Sequence, residues 1–65
     1  MRISETIHAL MVIQQKFGDL EIVGGYLNDD SGLRSVSVVN NNGMEIYPHD
    51  PNGVGQSDIE GVFLE

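Results

Sequence analysis

The segment from Ser4 to Tyr26 constrains the fold more than any other part of the chain. Apolar residues recur there at helical spacing, and the pattern stops at a glycine. The apolar stripe consists of Ile3, Ile7, Leu10, Met11 and Phe17, with Ile13 at its edge. Gly18 suits the left-handed conformation that closes many helices, and Ser4 is a good N-cap residue. We therefore predict an amphipathic helix from about Ser4 to about Phe17.

Three segments after the helix have the composition of β-strands. The first begins Leu20-Glu21-Ile22-Val23 and then meets Gly24-Gly25, a pair that indicates a bulge or a close backbone approach. The second runs from Leu33 to Val39, and the third from Met44 to Tyr47. The turn between these two ends in Asn42-Gly43, which is a strong hairpin signal.

The C-terminal part of the chain is less regular. Pro48 ends the third strand, and residues 48–58 form a loop that is either functional or mobile. Residues 59–64 are apolar enough to return as a short fourth strand or to dock as a tail. We predict a single α+β domain over residues 1–65, with one N-terminal helix packed on a three- or four-stranded antiparallel β-meander.

The small size of the chain favours self-association. A chain of 65 residues buries only about 60% of its unfolded surface, so its core is marginal. The sequence has no cysteine, which excludes disulfides, and no Cys/His cluster that would hold structural zinc. One helix covers one face of a sheet, so we predict that a homodimer covers the other. Candidates for the uncovered face are Val23, Tyr26, Val36, Val38 and Tyr47.

The charge balance narrows the class of partner. Three basic residues face ten acidic ones, for a formal net charge of −7. Direct nucleic-acid binding requires Lys and Arg to neutralise phosphates, so we predict none, and we expect a protein partner with a basic surface. Acidic loops can imitate a phosphate track, or they can simply keep a small protein soluble. The candidate contact residues are Asp29, Asp30, Asp50, Asp58 and Glu60, with Tyr26 and Tyr47 as aromatic anchors.

No residue pattern predicts catalysis, a metal or a cofactor. His8 lies on the helix without the nucleophile that a triad needs. His49 and Asp50 fall in a turn whose composition is ordinary turn chemistry. A calcium loop starting at Asp50 fails at its last position, which is Gly61. We therefore predict a non-enzymatic protein. The sequence shows no signal peptide and no apolar run of about 20 residues, so we expect the protein in the cytoplasm.

The N-terminal part of the chain, from Met1 to Leu27, resembles small proteins that are common in phage and prophage genomes. The resemblance is carried by Ile3-Ser4-Glu5-Thr6-Ile7, by Leu10 and Ile13, and by the run Phe17-Gly18-Asp19-Leu20-Glu21-Ile22-Val23. It implies a phage-encoded protein in the cytoplasm of a bacterial host, and many such proteins inhibit host or defence machinery, anti-CRISPR proteins among them. Two alternatives stay open: a small-ligand binder or nucleotide-signal sponge with its pocket at a dimer seam, and a structural or assembly accessory of the virion.

Overall fold

A computed structural model describes residues 1–26, 32–50 and 58–65. Within these ranges the chain forms a helix followed by strands that join into a single sheet. The elements are α1 (Ile3–Phe17), β1 (Ile22–Gly25), β2 (Val36–Asn40), β3 (Glu45–Tyr47) and β4 (Ile59–Leu64). The predicted α+β class is confirmed, and the C-terminal segment is a strand rather than a docked tail.

The sheet is mixed, so the predicted purely antiparallel meander is wrong in its topology. The strand order is β1-β4-β2-β3, with β4 inserted between β1 and β2. β2 is antiparallel to both β3 and β4, whereas β1 is parallel to β4. Because β4 lies at the centre of the sheet, it pairs on both sides and places Val62, which is 3% exposed, in the core.

Glycines make the parallel pairing of β1 with β4 possible. A Cβ atom at Gly61 would lie 2.5 Å from the carbonyl oxygen of Glu21 and 2.6 Å from Cγ1 of Val23. One at Gly25 would lie 2.9 Å from the carbonyl oxygen of Leu64. The register also shifts between Ile22 and Gly24. The bulge or close approach predicted at Gly24-Gly25 is therefore confirmed.

The core lies between α1 and one face of the sheet. Its buried members are Ile13, Val36, Val38, Ile46 and Val62. Val36 and Val38 were candidates for an uncovered sheet face, but both lie in this core, so that expectation is wrong for them. On the other face of β2, Ser37 and Val39 are also buried. The expected open sheet face therefore does not exist at β2.

The helix packs on the sheet with only part of the predicted stripe: Leu10 and Phe17 contact the core, whereas the other three members are exposed. Ile13, placed at the edge of the stripe by the sequence, is its buried residue. Ile3 is 80% exposed, Ile7 53% and Met11 51%. At about 100° per residue, the apolar positions from Ala9 round to Met11 span an arc of roughly 200°, wider than one sheet contact needs. The half of the arc that contains Ile13 packs on the sheet, and the other half stays exposed.

The ends of α1 and the β2–β3 turn follow local rules. Arg2, not Ser4, is the N-cap residue, and its backbone N–H donates to Glu5 Oε1 at 2.8 Å. Gly18 closes the helix with a φ of 94°, as predicted, and its N–H donates to the carbonyl of Gln14. The predicted hairpin at Asn42-Gly43 is confirmed, with Gly43 at a φ of 78°.

Candidate functional site

Two of the predicted acidic contact residues lie together where β4 begins. Asp58 immediately precedes β4 and has a φ of 60°, a left-handed conformation that Asp tolerates better than most residues. Its carbonyl accepts a hydrogen bond from the N–H of Asn41 at 2.9 Å, which fixes it beside the β2–β3 turn. Asp58 and Glu60 are both exposed, so their carboxylates are available to a partner.

The other acidic candidates are less fully described. Asp50 lies three residues after the end of β3 and is partly buried. Asp29 and Asp30 fall outside the described residues, as does most of the predicted 48–58 loop. The weak calcium-loop pattern that starts at Asp50 crosses the same undescribed stretch.

Tyr26 lies at the opposite end of the sheet from Asp58. Its N–H donates to the carbonyl of Leu64, the last residue of β4, at 2.7 Å, whereas Asp58 precedes the first. Because β4 has 6 residues, the two ends are separated by about 20 Å at ~3.3 Å per residue. Tyr26 is 70% exposed, so its ring can contact a partner. Tyr26 and Asp58 are too far apart, however, to belong to one small contact patch.

Tyr47, the second predicted aromatic anchor, contacts the helix. Its ring packs edge-on against Phe17, with the centroids 5.6 Å apart, and the Nζ of Lys16 lies 5.9 Å from the Tyr47 centroid. It is half-buried and packs against the core. Part of its ring is therefore already used to hold α1 on β3.

The sequence did not point to an exposed apolar surface beside α1. Ile3, Ile7 and Met11 project from the helix, and Ile22 on the edge strand β1 is 56% exposed. A hollow of about 210 Å³ lies between these elements. Its lining includes Leu10, Met11, Ile13, Leu20, Ile22 and Val62. The wide apolar arc of the helix was the signal that could have revealed this surface.

The described hollows are small. A second one, of about 160 Å³, lies on the other side of the sheet and is lined in part by Ser37, Val39 and Phe63. Both volumes are below the ~300 Å³ at which ordinary ligand pockets begin. In the described parts of the chain, no group of three or more His, Cys, Asp or Glu residues is placed to hold a metal ion. α1 is neither long nor apolar enough to span a bilayer.

The two histidines are separate from each other. His8 is exposed on α1. His49 is exposed after β3, and its backbone N–H donates to Glu45 Oε2 at 3.2 Å. This hydrogen bond uses the backbone of His49 and ties the chain after β3 back to that strand.

Comparison with known proteins adds no family to this description. No protein-family model, curated protein or solved structure matches the chain.

Proposed function

We propose that this chain is a phage-encoded, non-enzymatic binding protein that inhibits a host or defence protein. The observation that carries the proposal is the exposed acidic pair Asp58 and Glu60, fixed beside the β2–β3 turn in a chain of net charge −7. Such a surface complements a basic one and repels phosphate. The resemblance of the N-terminal segment, Met1 to Leu27, to small phage and prophage proteins supports the phage origin and the counter-defence role.

The proposed target is a protein that handles nucleic acid, because such proteins expose basic grooves that acidic side chains can occupy. Strand β4 pairs with β2 on either side of Glu60, at Ile59 and Gly61, so the backbone that carries Glu60 is held in the sheet. A rigid arrangement of carboxylates loses little conformational entropy on binding. Asp29, Asp30 and Asp50 are further acidic contacts in this proposal, and Tyr26 is a separate aromatic contact at the other end of β4. The binding form is a homodimer in the cytoplasm.

The test is capture of a partner from a bacterial lysate by the tagged protein at low and at moderate salt. We expect a basic, nucleic-acid-handling protein that is released as salt rises, since screening weakens exposed charge pairs. The purified partner should lose its nucleic-acid binding or cleavage activity when the wild-type protein is added.

A charge-reversal pair locates the contact. The variant D58K/E60K should lose both capture and inhibition, because it replaces the acidic contact by a basic one. The control is E21K/E65K, which makes the same change of net charge at two other exposed carboxylates and should retain both. If a D58K/E60K variant remains folded and still inhibits, the pair does not belong to the interface. Charge reversal of Asp29 and Asp30 tests those two residues in the same assay.

A further inference from the structure

The exposed apolar residues of α1 form a line along the helix. Ile3, Ile7 and Met11 are spaced four residues apart, so they lie one above the other on one side of the helix. Their exposed fractions are 80%, 53% and 51%. The sheet does not cover them because it packs against the side that contains Ile13. We call this line the α1 ridge.

The α1 ridge continues onto the edge strand. Met11 and Ile22 line the same 210 Å³ hollow, and Ile22 is 56% exposed on β1. β1 is an outer strand of the described sheet. The ridge, the hollow and Ile22 therefore form one continuous surface, which we call the α1–β1 face.

The area of this face is appropriate to the centre of a protein interface. At their exposed fractions, Ile3, Ile7, Met11 and Ile22 present on the order of 450 Å² of mainly apolar surface. A standard interface buries about 800 Å² on each partner, and its centre is more apolar than its rim. The four side chains thus supply more than half of the area that a stable dimer needs.

The shape of the α1–β1 face makes it complementary to itself. The ridge residues Ile3 and Ile7 lie in the N-terminal half of α1, whereas the hollow is lined by Leu10, Met11 and Gln14 of the C-terminal half. If two copies pack with their helices antiparallel, the ridge of each copy meets the hollow of the other. A twofold axis requires this kind of reciprocal contact. An apolar cavity of about 150 Å³ holds a benzene molecule, so a hollow of 210 Å³ accepts an isoleucine side chain.

We propose that two copies of this chain associate through their α1–β1 faces, with antiparallel helices and with Ile7 of each copy in the hollow of the other. This locates the homodimer contact of the proposed function, but it does not depend on the acidic pair Asp58 and Glu60. It also fits the size of the chain, since domains below about 70–80 residues commonly gain stability by oligomerising.

The test is sedimentation velocity of the full chain over a range of concentrations, with two variants that each add a carboxylate to α1. I7E places the charge in the apolar contact. H8E adds a carboxylate at the next position, which is exposed and points about 100° away. We expect the dimer dissociation constant to rise roughly tenfold or more in I7E, because burying an unpaired carboxylate is unfavourable. It should change less than about twofold in H8E.

Salt gives a second, independent readout. Two chains of charge −7 repel each other, so added salt should tighten an apolar dimer, whereas it should weaken the capture of a basic partner.

A wild-type protein that stays monomeric at about 100 μM, or a folded I7E variant that dimerises as tightly as wild type, would overturn the proposal. If I7E fails to fold by circular dichroism, I3E serves in its place, because Ile3 is 80% exposed at the first helical position. A monomeric variant that still captures its partner would separate this proposal from the proposed function.

Discussion

The ring of Phe17, the last residue of α1, meets the ring of Tyr47, the last residue of β3, edge-on at a centroid distance of 5.6 Å and an interplanar angle of 72°. The ammonium of Lys16 lies 5.9 Å from the centroid of the same tyrosine ring. These contacts fix the C-terminal end of the helix over the strand at one edge of the sheet. Aromatic pairs in this geometry stabilise by about 0.5–1.5 kcal/mol beyond the area they bury.

We therefore expect Y47L to lower the free energy of unfolding by about 1–2 kcal/mol, through the lost ring pair and the lost cation contact. Urea denaturation measures the change, and a double-mutant cycle with F17L isolates the coupling of the two rings. The control is Y26L, which should change stability by less than about 0.5 kcal/mol because Tyr26 is 70% exposed. A coupling energy near zero would show that the ring contact does not stabilise the fold.

Asn40 is a buried polar residue that organises the β2–β3 turn. Its Oδ1 accepts hydrogen bonds from the backbone N–H groups of Asn42 at 3.0 Å and Met44 at 2.9 Å. N40A would leave both donors without this acceptor, so we expect a loss of about 2–3 kcal/mol. N41A, at the exposed neighbouring position, should change stability by less than about 0.5 kcal/mol. Equal urea midpoints for the two variants would refute this assignment.

Gly61 and Gly24 allow a graded test of the β1–β4 contact. In G61A the new methyl would lie 2.5 Å from the backbone oxygen of Glu21, which cannot move without disturbing the strand pairing. In G24A it would lie 3.3 Å from the ring of Phe63, a side chain that can shift by a few tenths of an ångström. We expect G61A to lose about 3 kcal/mol or more and G24A about 1 kcal/mol, since overpacking typically costs about 1–3 kcal/mol. Thermal unfolding of both variants shows which one loses more stability. A larger loss in G24A than in G61A would contradict the observed strand pairing.

Most features that depend on neighbouring residues were predictable from the sequence, and the N-cap at Arg2 is the exception. Gly18 closes the helix because only a few residues tolerate a positive φ, and Asn42-Gly43 makes the hairpin for the same reason. The two glycines of β1 indicated a close approach, although the sequence did not say to which strand.

Features that depend on distant residues were not predictable. The position of β4 between β1 and β2 depends on pairings such as Ile22 with Val62, which join the first strand of the chain to the last. The rotation of the helix was ambiguous because its wide apolar arc offers more than one side to a sheet. For the candidate site, the sequence already named Asp58 and Glu60 among the acidic contact residues. The α1–β1 face could not be predicted, because the sequence does not say which side of the helix is buried.

The N-cap of α1 offers a stabilising substitution that also tests where the helix begins. Arg2 is the N-cap residue, with an extended φ of −83° and ψ of 163°. An arginine side chain has only donors, so it cannot accept hydrogen bonds from the free N–H groups of the first turn. R2S supplies an acceptor and should raise the free energy of unfolding by about 0.5–1 kcal/mol, or the melting temperature by several degrees.

The matched variant is S4A, which removes the serine that the sequence suggested as the cap. Because Ser4 is the second helical residue, S4A should change stability by only a few tenths of a kcal/mol. A loss near ~1 kcal/mol in S4A, with no gain in R2S, would place the start of the helix at Ser4.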